Sequence, residues 1–331
     1  MKELILHVGR SKCASSTIQK FLSNNPIIKQ KGFELSYYCI ARDGGILSGD
    51  AIRSSAIKSA HGYAVSSINF TDPADFFQGI KSIQLQSGPN ESVVISNEGL
   101  GDAWVYEDWA ARLDDLGIPI RVFMLTRPPV DWINASWWQW GCWETNDVKD
   151  WFNRVRKTMN FNTGYEQWAK VNNLSDLFVA DISQGPLSLF LKFAKIEGFD
   201  FDPNDSTNIG SSADLLRFLL LNREIFGRTT HDATVEFALN SKLKFRGRKA
   251  PFVLSEAMVE EAIELSRADH LLLLDRMHWS DKTSRDNIVN KYTCSSSYEA
   301  IAQNFSLSEF LMESFDPDFS REIKEVLCFR T

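Results

Sequence analysis

The stretch from Leu4 to Leu22 limits what this chain can fold into more than any other segment. Glu3 to Val8 is a short apolar run that ends in Gly9, the pattern of a buried central strand. A loop, Gly9-Arg10-Ser11-Lys12-Cys13-Ala14, leads into three hydroxyl residues, Ser15, Ser16 and Thr17. Ile18, Phe21 and Leu22 then share one face of a helix that Asn24-Asn25-Pro26 stops. A strand feeding a helix N-terminus through a short loop builds an anion site. The first N–H groups of the helix have no intrahelical partner and carry partial positive charge. Lys12 adds a full charge and the hydroxyls add short donors. The segment therefore predicts a phosphorylated ligand held by the N-terminal loop. The competing reading is a helix start capped by Ser15 or Ser16, with Lys12 solvated. The loop is not a GxxxxGK[ST] motif, because Lys12 follows Gly9 by three residues and Ala14 stands where a glycine is expected.

Further strands are predicted at Val93–Ser96, Ile120–Thr126 and Leu177–Ala180. Helices are predicted over 73–86 with Pro73 in the first turn, over 102–116 with Asp102 as N-cap and Gly117 closing, and over 129–140, 147–158 and 163–171. Beyond residue 185 the pattern is almost wholly helical, notably over 212–226 and 254–275. Residues 41–72, rich in Gly, Ser and Ala after a helical patch near 50–59, read as a long connection and a mobile flap over the site. Strands alternating with helices predict an α/β fold: a P-loop-like parallel sheet flanked by helices, with a helical C-terminal third. The expected organisation is one domain over 1–331, with a nucleotide-binding core over 1–200 and a helical extension over 201–331. Such sheets bind ligands at the carboxyl ends of their strands. Gly9, Glu98 and Arg127 each follow a predicted strand.

A net charge of −7 argues against a nucleic-acid polymer as partner, so the phosphate site is a local basic island. The five cysteines are odd in number, dispersed and without a CxxC, which argues against a disulfide framework or a zinc site. No apolar run reaches the length of a membrane span, and the N-terminus lacks the pattern of a signal peptide. The expected location is cytoplasmic.

The run Val122-Phe123-Met124-Leu125-Thr126-Arg127-Pro128-Pro129-Val130-Asp131-Trp132, followed by Ser136, resembles the 3′-phosphate segment of the sulfotransferases that use 3′-phosphoadenosine-5′-phosphosulfate (PAPS). In that family an arginine at a strand end and a serine one to two helical turns later hold the 3′-phosphate. The family's 5′-phosphosulfate loop is similar to Gly9, Lys12, Ser15, Ser16, Thr17 and Gln19 in register. The likeness covers residues 4–22 and 92–141 and is closest to bacterial and carbohydrate-directed members. It implies cofactor contacts from Gly9, Arg10, Lys12, Cys13, Ala14, Ser15, Ser16 and Thr17, and from Arg127 and Ser136. It implies PAPS as donor, its product PAP, no metal, and a hydroxyl-bearing acceptor such as a saccharide or glycolipid. Lys12 is then a catalytic cation. In several carbohydrate-directed members a glutamate just past a strand takes the acceptor proton, which implies that role for Glu98; a carboxylate at a helix N-terminus or a surface residue is the competing reading. Two departures stand out: Ala14 replaces a glycine, which suits a backbone with negative φ, and Ser136 lies one residue further from Arg127 than the usual spacing.

Other residues keep alternatives open. Arg127 is also placed to pair with Asp131. His61, in the flap, is a second base candidate, whereas His7 reads as core. The family often closes over its cofactor with a late basic loop, and that resemblance makes Arg248 or Lys249 of the run Arg246-Gly247-Arg248-Lys249 a further 3′-phosphate contact; a solvated loop is the competing reading. Six tryptophans between Trp132 and Trp151 form either core or a stacking wall for sugar or adenine rings. The rival functions are a Mg-ATP-dependent P-loop kinase and a non-catalytic nucleotide-binding module.

Overall fold

In a computed structural model the chain is an α/β protein with a mostly parallel seven-stranded sheet flanked by helices, and a helical C-terminal part. The structure describes all residues except 31, 70–71, 106–107, 200–209 and 329–331, and the side chains of 102–105, 284 and 328 are likewise not described. The contacts fall into two compact units that interleave in sequence. The first comprises Met1–Pro128, Asn160–Asn208 and Ala268–Val289, and the second Pro129–Met159, Ile209–Arg267 and Asn290–Thr331.

The first unit holds the sheet. Its strands are β1 (Glu3–Gly9), β2 (Ile27–Gln30), β3 (Phe33–Ile40), β4 (Ile46–Ser48), β5 (Glu91–Asn97), β6 (Ile120–Thr126) and β7 (Leu174–Asp181). The order is β2-β3-β5-β1-β6-β7, with β4 paired to β3. The pairs β3–β5, β5–β1, β1–β6 and β6–β7 are parallel, whereas β2 and β4 run antiparallel to β3. Because both faces of the centre are covered, Leu4, Ile5, Leu6, Val93, Val94, Ile95, Val122 and Phe123 have no exposure to solvent.

Chain direction across the sheet reverses at β1, which has β5 on one side and β6 on the other. Val8 is level with Asn97 and Met124, so Gly9, Glu98 and Arg127 all leave the same edge. Helix α1 (Ser15–Asn24) follows the first loop. The helix expected over 73–86 is Ala74–Gln86, entered through Pro73. The one expected over 102–116 is instead a 3-10 helix, Glu98–Val105, and a short helix, Trp109–Asp114. The Asp102 side chain expected to cap it lies outside the described residues.

The flap is anchored to the sheet rather than loose. Ala64 N donates to Ser23 Oγ (2.9 Å), and Tyr37 Oη donates to the Ala64 carbonyl (2.8 Å). Ile40 N donates to Ser66 Oγ (3.0 Å), and Asn97 Nδ2 donates to the Ser66 carbonyl (2.5 Å). Four backbone and side-chain ties to α1, β3 and the end of β5 hold residues 64–66 in place.

The second unit is helical. Leu215, Leu219, Leu239, Leu243, Phe319 and Ile323 form one of its cores. The Trp-rich segment runs as the helix Pro129–Ser136 and then one wide π-turn, Trp137–Gly141. Trp132, Trp137, Trp138 and Trp151 are buried, so packing accounts for most of the aromatic load. Gly141 is required there, since a Cβ would lie 2.5 Å from Trp137 and 2.7 Å from Trp151. Cys13, Cys39, Cys142 and Cys294 are free thiols. Among the described residues no helix is long and apolar enough to cross a membrane.

His7 lies in the sheet core, with Nδ1 2.7 Å from Ser96 Oγ and its ring against Phe123 and Phe190. Burial pushes its pKa from 6.5 down to about 3, so it is neutral in the fold. Below pH 6.5 the unfolded chain takes up a proton that the fold refuses until about pH 3, so stability falls as pH falls through that window. The contribution is a slope of about 1.4 kcal/mol per pH unit. His7→Gln is expected to flatten the pH dependence of urea-unfolding stability by one proton's worth. Parallel profiles for the two proteins would contradict the neutral, buried assignment.

Candidate functional site

The carboxyl edge of β5, β1 and β6 gathers the candidate residues of the first unit. After Gly9 the backbone turns sharply. Cys13 N donates to the Arg10 carbonyl (3.2 Å), and Lys12 and Ala14 take left-handed conformations with φ of 68° and 62°. Cys13 between them is not left-handed. The negative φ expected at Ala14 is therefore corrected: its Cβ is accommodated in a conformation usually left to glycine. The loop thus sets one residue that is not left-handed between two that are, and the Cys13 N–H is taken up within it by the Arg10 carbonyl.

Helix α1 starts at Ser15 with no side-chain cap and no acidic residue in its first turn. The capping role open to Ser15 or Ser16 is thus not taken. Ser15 is buried, and its Oγ has no hydrogen-bond partner. That hydroxyl faces Gly9, where a Cβ would approach it to 3.3 Å. An orphaned buried hydroxyl costs roughly 1–3 kcal/mol, so its position beside unsatisfied helix N–H groups fits a ligand with acceptor oxygens.

The neighbouring elements hold the loop. Arg127 Nη1 donates to the Lys12 carbonyl (3.2 Å), while Asp131 forms an ion pair with Lys291 in the second unit. Arg10 Nη2 donates to Asn160 Oδ1 (2.9 Å), and its guanidinium lies 5.2 Å from the Phe161 ring centroid. Gly101 packs on the loop so closely that a Cβ would sit 2.8 Å from the Gly9 carbonyl carbon and oxygen and 3.1 Å from Arg10 N. Cys13 is the buried centre. Burial raises its thiol pKa to about 12, with Arg127 and Arg10 lowering it and Glu98 and Asp181 raising it. One thiol therefore feels charges from the ends of β5, β6 and β7. It is protonated and inert at neutral pH.

Glu98 is half-buried at the start of the 3-10 helix. Tyr63, from the anchored loop, hydrogen-bonds Ser16 and lies within electrostatic reach of Glu98. The exposed His61 places its ring 5.6 Å from that of Tyr63. Asp181 ends β7, buried, and accepts from Ser183 N (2.8 Å). Sequence reasoning missed Tyr63, Gly101, Asn160 and Asp181. Only Asp181 carried a signal, as a carboxylate one residue past a predicted strand.

Two predicted contacts belong to the second unit. Ser136 belongs to the second unit and is fully buried. Its hydroxyl donates to the Ile133 carbonyl (2.8 Å) and accepts from Trp151 Nε1 (3.1 Å), so it serves the packing of the Trp-rich segment. Arg248, also in the second unit, forms an ion pair with Glu313, and its carbonyl accepts from Ala213 N (2.9 Å). The basic run is stitched into its own unit.

No protein-family model matches the chain, and no match was found among curated proteins or solved structures.

A left-handed alanine is strained relative to glycine by about 1 kcal/mol. Ala14→Gly is expected to raise unfolding stability by about that amount in urea titrations. A loss of stability would show that the Ala14 methyl contributes more in packing than its backbone costs.

Proposed function

We propose that the chain is a PAPS-dependent sulfotransferase that moves a sulfuryl group to an acceptor hydroxyl, on a saccharide or a glycolipid. The observation that carries this reading is one shared edge. An uncapped, acid-free helix N-terminus with a buried unsatisfied hydroxyl lies in a loop whose Lys12 carbonyl receives the Arg127 guanidinium. Lys12, Arg127 and the uncapped N-terminus of α1 at one sheet edge suit a ligand with phosphates at both ends of a nucleoside.

When bound, PAPS supplies the activated sulfuryl group and the adenosine bisphosphate that departs. Lys12 and the first N–H groups of α1 hold the phosphosulfate end and stabilise charge that builds on the leaving phosphate. Ser15, Ser16 and Thr17 orient that end. Arg127 gives the 3′-phosphate its recognition, from a guanidinium already fixed by the Lys12 carbonyl. Glu98 receives the proton of the acceptor hydroxyl. Ser136 and Arg248 are left out of this assignment, because their polar atoms are engaged within the second unit.

Two measurements test the proposal. PAP, in the presence of a chelator, is expected to stabilise the fold more than ATP does, by about 2.7 kcal/mol at a concentration 100 times its Kd. Stabilisation only by Mg-ATP would favour a kinase. Glu98→Gln is expected to keep PAP binding and to lose about 100-fold or more in sulfation of saccharide acceptors with labelled PAPS. Full activity in that variant would remove Glu98 as the base, and PAP binding without any sulfation by the unaltered protein would favour a non-catalytic module.

A further inference from the structure

Arg10 opens the turn that carries Lys12: Cys13 N donates to its carbonyl (3.2 Å). Its side chain is held by the segment that follows Met159. Nη2 donates to Asn160 Oδ1 (2.9 Å), and the guanidinium lies 5.2 Å from the ring centroid of the fully buried Phe161. Asn160 is the N-cap residue of the helix Phe161–Trp168, a place where an asparagine side chain ordinarily accepts from the helix N–H groups. Here its side chain makes no such bond. Asp269 takes that role, accepting from Asn162 N (2.9 Å), Thr163 N (3.1 Å) and Thr163 Oγ1 (3.2 Å). Arg276 Nη1 fixes the same turn by donating to Asn162 Oδ1 (2.9 Å). The cap is thus supplied from a distant part of the chain, and the Asn160 amide is released to hold Arg10.

Resting on the sulfotransferase reading, we infer that Asn160 is a positioning residue, whose amide oxygen sets the Arg10 guanidinium as a second full charge, beside Lys12, for the phosphosulfate end of the donor. Arg10 and Lys12 lie in one turn, so both charges serve the same end of the ligand. The acceptor that Asn160 offers is neutral, and that choice matters. A carboxylate at position 160 would hold the guanidinium equally well but would offset its charge. An amide oxygen fixes position alone. The Phe161 ring attracts the cation without bringing an opposite full charge. The Asp269 carboxylate meets the positive end of the helix Phe161–Trp168, which lets a guanidinium approach that end. An unrestrained arginine gives up rotamer freedom when an anion binds, and one already held gives up less. Asn160 therefore acts on affinity through Arg10, and no bond is made or broken at either residue.

The test is calorimetric binding of PAPS and of PAP to the full chain, with melts of each variant without ligand to report on the fold. Asn160→Ala is expected to weaken PAPS binding by about fivefold, the scale of one long side chain left unheld. In an Arg10→Ala background the same substitution is expected to change affinity by less than about twofold, because the two residues act as one unit. Asn160→Asp keeps an acceptor for Arg10 and adds a negative charge. Its melting temperature is expected to hold while PAPS affinity falls about tenfold, a readout that a structural latch does not move. This second variant decides the matter if Asn160→Ala unfolds. A lower melting temperature with unchanged affinity in Asn160→Ala, equal losses with and without Arg10, or full affinity in Asn160→Asp overturns the role of Asn160 while leaving the sulfotransferase reading in place. If the unaltered chain binds neither PAPS nor PAP, the reading itself fails and the inference with it.

Discussion

Two non-glycine residues held in left-handed backbone, Lys12 and Ala14, are the constraint on which the rest of the site depends. Each costs roughly 1–2 kcal/mol relative to ordinary conformations. Such strain persists only where the surroundings over-determine it. Here they do. The Cys13 thiol is buried between the two, Gly101 presses on the Gly9 and Arg10 backbone, Arg127 grips the Lys12 carbonyl, and Arg10 is tied to Asn160. These restraints come from β5, β6 and the segment after residue 159, three pieces of chain that reach the loop only because β1 lies at the reversal point of the sheet. The topology makes the loop on which the proposed anion site rests.

The same convergence sets the electrostatics. Arg10 and Arg127 bring positive charge to Cys13, and Glu98 and Asp181 bring negative charge. Around that thiol the formal charges of these four groups balance. The partial positive charge of α1 and the Lys12 ammonium then tip the edge toward anions. No acidic side chain lies in the first turn of α1.

The legible parts of the fold were those in which one physical rule acts alone. β1, β5 and β6 are central parallel strands, buried on both faces, and their apolar runs stand out in the sequence, whereas β7 ends the sheet and is buried only over Val179–Asp181. β2, β3 and β4 went unread. Glu34 and Ser36 interrupt the apolar run of β3, while β2 and β4 are short antiparallel additions at one side of the sheet. Sequence spacing placed Gly9, Glu98 and Arg127 on one edge because strand ends are where apolar runs stop. It could not show that the Ser136 hydroxyl turns toward Trp151, or that Arg248 pairs with Glu313, because those outcomes depend on partners 15 and 65 residues away. Nor could it show the flap as anchored. Ala64 and Ser66 form no periodic pattern, and the groups that hold them come from Ser23, Tyr37, Ile40 and Asn97.

The presence of alanine and lysine at the left-handed positions of the loop is explained by preorganisation. Glycine would enter that conformation without steric cost, but it would also leave it freely, and an anion would then have to order the loop on binding. Alanine and lysine have fewer alternative conformations. Once the surrounding contacts force them into the left-handed region, the loop keeps that shape. The cost falls on folding stability instead of on affinity. That distribution suits the proposed site, where donors already in place would cost nothing to reorganise. It also explains why the restraints on the loop are so many: each removes an escape route for a backbone that would otherwise relax.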